Sequence, residues 1–168
     1  MKKRALGFTL IEVLVSVTIL FIVIVVIYDF FMNTNKFLHN QDENIEVSLQ
    51  AKRLQEDIKQ WFQMADQKSI ECFPYSKRVE MNVYEYDLAQ NIFLKYRIVL
   101  QYDGVQKKIS IHKYDEAGRE VSSSIYLEKK VEYFSVIENG NLVLITYEIK
   151  FSPKKVQKYE ITYYRRTD

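Results

Sequence analysis

Gly7-Phe8-Thr9-Leu10-Ile11-Glu12-Val13-Leu14-Val15 opens an apolar run that continues to Ile27, with one carboxylate, Glu12, inside it. A run of about twenty residues is long enough to cross the hydrocarbon core of a bilayer as a helix. An acidic side chain there costs roughly 2.5 to 3.5 kcal/mol on insertion scales, so a neutralising partner for Glu12 is expected. If the chain is cut between Gly7 and Phe8, the new α-amine lies one helical turn from Glu12 on the same face. The carboxylate then also sits near the positive end of the helix dipole. Amine and carboxylate can neutralise each other, within a chain or between adjacent chains. The blander reading of Glu12 is a stray charge near the end of a signal anchor, reaching back to water.

Outward from this stretch, Lys2, Lys3 and Arg4 precede the run. A short basic leader, then Gly7-Phe8-Thr9-Leu10-Ile11-Glu12 and an apolar helix, resembles the N-terminus of the type IV pilins and of the pseudopilins of type II secretion and competence systems. The resemblance covers Met1 to Tyr28. It implies a leader peptide over residues 1–7, cleavage between Gly7 and Phe8 by a prepilin peptidase, and N-methylation of Phe8. It also implies that Glu12 pairs with the Phe8 amine of a neighbouring subunit during filament assembly. The partners it implies are the peptidase, other pilin or pseudopilin subunits, an inner-membrane assembly platform, and membrane lipid around residues 8–28 before assembly.

At 168 residues the chain has room for one membrane helix and one domain of ordinary size. The formal charge of +2 conceals a polarity. Three of the 24 basic residues precede Gly7, leaving 21 against 22 acidic residues beyond it. Basic residues before the span predict a cytoplasmic N-terminus and an exported C-terminal part, which places the chain in the cytoplasmic (inner) membrane before assembly and in a cell-surface or periplasmic filament after it. A cleaved secretory signal competes, but the apolar run is long for one and Val23 to Phe30 lacks a small-residue cleavage site. The single cysteine, Cys72, cannot form an intrachain disulfide and is read as core packing.

Between Gly7 and Pro74 there is neither glycine nor proline, so one helix can run far beyond the membrane. Past Tyr28 the apolar positions thin out. Val47, Ala51, Leu54, Ile58, Trp61, Phe62 and Ala65 then recur at three- and four-residue spacing, the mark of one helix face that needs a cover. Residues 29–67 are therefore read as the continuation of the helix, with this stripe packing on a sheet. A continuous helix from Phe8 to Gln67 would be roughly 90 Å long, of which about 30 Å fits in a bilayer. The competing arrangement is two helices broken near Asn33 to Asn44.

After Pro74 the period changes to two. Val79, Met81 and Val83 alternate with Glu80, Asn82 and Tyr84, and Ile92, Leu94, Tyr96, Ile98 and Leu100 with Phe93, Lys95, Arg97 and Gln101. Asp103-Gly104 and Asn139-Gly140 are two-residue hairpin signals. Val105 to Tyr114, Val121 to Leu127, Val131 to Ile137, Leu142 to Phe151 and Val156 to Arg165 read as further strands, with turns at Asp115 to Gly118 and Ser152-Pro153-Lys154. Residues 68–168 thus form an antiparallel meander of six or seven strands. The fold class is α+β and pilin-like, one long N-terminal helix packed on an antiparallel sheet.

Other chemistry finds little support. His39 and His112 are the only histidines and Cys72 has no ligand at metal spacing, so neither a metal nor a cofactor is expected. Ser122-Ser123-Ser124 lie near His112 in the reading, but without a strained nucleophile turn. The dispersed glycines build no phosphate-cradling loop. No enzymatic activity is expected. Lys107-Lys108, Lys129-Lys130, Lys154-Lys155-Lys158 and Arg165-Arg166, with thirteen tyrosines, make DNA a possible partner. The balanced charge beyond Gly7 disfavours it.

Within the family, major pilins typically carry a helix-kinking proline, and many have a C-terminal disulfide or a calcium loop. This chain has no proline before Pro74, one cysteine and no acidic Asp/Gly calcium loop. In architecture it is similar to J-type minor pseudopilins and to competence minor pseudopilins. The alternative is an unprocessed single-pass anchor displaying a β-rich binding domain.

Overall fold

The computed structural model describes residues 9–152 and 155–166, and only the backbone of Asn40. Lys2, Lys3, Arg4, Gly7, Phe8 and the Pro153-Lys154 turn lie outside the described residues. The chain divides into two compact units, residues 1–44 and 45–168.

Helix α1 spans Leu10–Met64, and the boundary between the units falls within it. The backbone stays helical through Asn33 to Asn44, so the two-helix alternative does not occur. Nothing in that stretch removes an amide donor or supplies glycine's extra freedom, and its polar residues can remain helical in water. The helix stops three residues short of the expected Gln67. Ala65 instead forms an isolated bridge with Val83, and the Asp66 amide donates to the Asn82 carbonyl at 2.8 Å. A 3₁₀ turn, Gln67–Ser69, follows, with the Lys68 amide donating to the Asp66 carboxylate at 3.1 Å.

In the unit that begins at Ile45, the helical stretch buries Val47, Ala51, Leu54, Ile58, Phe62 and Ala65, with Trp61 half-buried at the edge. Eight strands follow: β1 (Glu71–Phe73), β2 (Arg78–Asp87), β3 (Ile92–Asp103), β4 (Lys108–Tyr114), β5 (Glu120–Tyr126), β6 (Val131–Asn139), β7 (Leu142–Ser152) and β8 (Lys155–Tyr164). They form two antiparallel sheets, ordered β1-β2-β3-β4-β5 and β6-β7-β8, where the sequence suggests one meander. The extra strand, β1, is too short to show a period. The division falls at the β5–β6 connection, where Leu127 and Lys129 take left-handed φ of 58° and 60°. The chain leaves the first sheet there, and the amides of Lys129 and Val131 donate to the carbonyls of Gln106 and Lys107 in the β3–β4 turn.

Alternation sets each face. Val79, Met81 and Val83 on β2 pair with Leu100, Ile98 and Tyr96 on β3, and Leu100 and Tyr102 pair with Ile111 and Ile109 on β4. On the second sheet, Phe134 and Val136 face Tyr147 and Ile145. These side chains and the α1 stripe share one apolar core, in which each fully buried Leu, Ile or Phe gains about 1.5–3 kcal/mol. The turns follow side-chain chemistry. The tight hairpin read at Asn139-Gly140 forms one residue later, with Gly140 and Asn141 as the two-residue β6–β7 loop and Gly140 at φ of 59°. Asp103-Gly104 does not make a two-residue turn. The Asp103 carboxylate accepts from the Val105 and Gln106 amides, which lengthens the loop to Gly104–Lys107.

Candidate assembly site in the N-terminal helix

The start of α1 is capped by its own side chains. The Thr9 hydroxyl accepts from the Glu12 amide at 3.4 Å, while Glu12 Oε2 accepts from the Thr9 amide at 2.8 Å. This reciprocal pair is a capping box, satisfying one otherwise unpaired backbone donor at each residue. The Thr9 hydroxyl also lies 2.8 Å from Glu12 Oε2, with Thr9 donating. Its sequence signal is Thr-x-x-Glu at Thr9 to Glu12, which gives Glu12 a partner besides the one expected at residue 8.

Beyond the cap, Ser16 and Thr18 donate their hydroxyls to the carbonyls of Glu12 and Leu14, both at 2.8 Å. Their polar groups are thus satisfied within the helix, as an apolar surrounding requires. From Leu10 to Phe31 every side chain is exposed, whichever side of the helix it occupies. A helix that is apolar all round is built to be surrounded. This one is long and apolar enough to cross a membrane. Lipid and neighbouring helices both meet that need.

The remaining site residues fall elsewhere. Gly7, Phe8 and the basic residues Lys2, Lys3 and Arg4 lie outside the described residues. The packing stripe Val47 to Ala65 lies in the core of the second unit. Cys72, on β1, is half-buried against that core, with Arg165 Nη2 3.8 Å from its Sγ. Burial, with help from the Glu138 charge and against that of Arg165, pushes its thiol up to about 11, which leaves it protonated and poorly nucleophilic at neutral pH.

His112 stands opposite Ser123 in the β4–β5 register, yet its Nε2 lies 2.9 Å from Ser110 Oγ. Its Nδ1 is 3.5 Å from Glu120. Ser110 is only 6% exposed, so the group reads as a polar network on the sheet. Among the described residues no three or more His, Cys, Asp or Glu side chains are placed to hold a metal ion. Of the basic pairs, Lys107-Lys108 and Lys129-Lys130 meet through the turn contacts given above. Arg165 is held apart, its amide on the Asn141 carbonyl and its guanidinium 2.6 Å from Glu138.

No curated protein and no solved structure gives a significant match to the chain. Residues 2–28 match the prokaryotic N-terminal methylation motif. That match and the apolar helix suggest a membrane-anchored, single-pass protein, and together they support a type IV pilin-like protein.

Proposed function

We propose that the chain is a minor pilin or pseudopilin, a non-enzymatic subunit of a type IV pilus-like, type II secretion or competence filament. In this reading a prepilin peptidase cuts between Gly7 and Phe8 and the new N-terminus is methylated. The helix holds the subunit in the inner membrane, N-terminus cytoplasmic and β unit outside, until an assembly platform transfers it among neighbouring helices. Burial of the residue 8–28 surface then exchanges lipid contacts for helix contacts. A neighbour's Phe8 amine meets Glu12, removing an unpaired charge and fixing register. DNA is not a favoured partner. The observation that carries the reading is the lone carboxylate of Glu12 in a helical stretch, Leu10 to Tyr28, that is exposed on every side and covered by the methylation motif.

The Thr9 cap on Glu12 favours a second reading, an unprocessed anchor. Glu12 already has hydrogen-bond donors in Thr9 and needs no neighbour for them, although the box leaves its charge uncancelled. The mass of the N-terminus of protein purified from its native membrane separates the two. A chain beginning at Phe8 with one added methyl supports the filament subunit, and an intact leader in cells with active prepilin peptidase supports the anchor.

A further inference from the structure

Strand β4 stops before its neighbour does. Its last residue, Tyr114, pairs with Arg97, while β3 reaches back to Ile92 and stays paired with β2 over that length. The chain turns away at Asp115. The Asp115 amide donates to the Arg119 carbonyl at 2.9 Å, and its carboxylate accepts from the Arg119 amide and side chain, each at 2.8 Å. A turn closed in this way does not continue the ladder. Strand alternation then decides which backbone groups are left open. Asn82 turns its carbonyl to Asp66 and its amide to Ser69, away from β3. Its partner Arg97 therefore turns its own amide and carbonyl toward β4, and Phe93 and Lys95 turn theirs to the same side. Among the described residues no strand pairs with those two there.

Two clefts flank this short edge. One, of about 470 Å³, has Asn82, Lys95 and Arg97 on one wall and the turn 115–118 on the other. The second, of about 380 Å³, lies on the opposite face of β3, against Leu94, Tyr96 and Val121, and is bounded by the same turn. Lys95, Asp115, Glu116 and Ala117 line both, so the clefts meet along the edge. Successive side chains of a strand laid there point to opposite faces, one face for each cleft. The first cleft has a charge bias. Its Arg97 lies over the Tyr114 ring at 5.2 Å and 3.8 Å from Glu80, which Arg78 holds more closely at 3.1 Å. Of the two acids on the turn, Asp115 is taken by Arg119, which leaves Glu116 against Lys95 and Arg97. Leu94, Tyr96 and Val121 make the second cleft the more apolar of the two.

We propose that this slot takes an extended segment of a partner protein as an added strand antiparallel to β3, with an acidic residue opposite Lys95 and an apolar residue on either side of it. Main-chain bonds at Phe93 and Lys95 hold the segment, and the two clefts select its side chains. The acid shares the face of Lys95 and Arg97, where a cross-strand pair of opposite charge is favourable. Its apolar neighbours enter the second cleft beside Leu94 and Tyr96. The open stretch, Ile92 to Tyr96, is roughly 17 Å long at 3.4 Å per residue. An added strand is therefore short and its contact reversible. Every residue of the slot belongs to the unit that begins at Ile45.

The test uses the full chain in nonionic detergent with three end-blocked pentapeptides, Thr-Val-Glu-Val-Thr, Thr-Val-Lys-Val-Thr and Thr-Pro-Glu-Pro-Thr. Amide hydrogen exchange is read residue by residue, with the buried Ile98 and Ile145 as controls for an intact fold. At saturation the first peptide is expected to slow Phe93 and Lys95 at least about fivefold, leaving Leu94 and Tyr96, already bonded to β2, unchanged. Replacement Lys95→Glu is expected to weaken that peptide at least about fivefold and to favour the lysine peptide. Unchanged exchange at Phe93 and Lys95 with every peptide overturns the site. Equal protection by the lysine peptide overturns the acidic partner. Equal protection by the proline peptide, which lacks two amide donors, shows attraction of charge alone and overturns the added strand.

Discussion

The side-chain oxygen of Gln50, on α1, accepts the backbone amide of Leu127 at 2.9 Å, at the point where the chain leaves the first sheet for the second. Leu127 is 1% exposed and holds a φ of 58°. The left-handed conformation costs a leucine about 1–2 kcal/mol, while truncating a buried leucine costs about 2–5 kcal/mol. Burial is the larger effect, so Leu127→Gly destabilises the β unit by about 1–4 kcal/mol in denaturant unfolding, despite relieving the backbone. Gln50→Ala costs about 1–2 kcal/mol, because the amide loses its acceptor. A stabilised glycine variant would mean that strain dominates.

Leu54 and Leu49 lie on one helix and differ in surroundings. Leu54 is fully buried at 0% and Leu49 is 51% exposed. Leu54→Ala therefore loses about 2–5 kcal/mol through the cavity it leaves, whereas Leu49→Ala stays within about 0.5 kcal/mol. Similar losses at both positions would show that the stripe does not discriminate.

The Tyr126 hydroxyl donates to the Asp57 carboxylate, joining β5 to α1. Burial, then this bond, pushes the phenol from its ordinary 10 up to about 12. A raised folded value means that the contribution is present in full below pH 10 and is lost as pH rises through about 12. Wild type should consequently lose more stability than Tyr126→Phe across that alkaline window. Parallel curves from unfolding at matched pH would argue that Tyr126 titrates as it does in the unfolded chain.

At the N-terminus, Thr9→Val removes the hydroxyl while keeping the bulk of the side chain. Loss of the cap costs the helix start about 0.5–2 kcal/mol. Glu12→Ala removes the charge, so membrane insertion is retained or improved while incorporation into filaments falls. Sheared filament fractions compared with membrane fractions measure the two together. Normal filament incorporation of Glu12→Ala would take the pairing role away from Glu12.

The long helix and the strands were legible because their signals are local and repetitive. Val47 to Ala65 states a helical face, and Val79, Met81 and Val83 state a strand face. Less legible was anything decided by contacts distant in sequence. The split into two sheets depends on Leu127 taking a left-handed conformation under a Gln50 cap, a contact across 77 residues. The end of α1 moved because Ala65 found Val83. The four-residue turn at Asp103 was readable in principle, but an Asp-Gly pair signals a tight hairpin unless the aspartate carboxylate is allowed to take loop amides. At the site, Glu12 is legible and its partner Thr9 is not, since a charge in an apolar run is conspicuous and a threonine is not.

Within each sheet every strand pairs with its neighbour in the chain, from β1 to β5 and from β6 to β8. Loop closure for such pairings spans only a few residues, and chains rich in local contacts fold quickly for their size. Each hairpin can therefore close soon after both its strands have emerged, without waiting for the C-terminus. Synthesis from the N-terminal side builds the first sheet before the second is complete, shortening the time for which bare strand edges are open to aggregation.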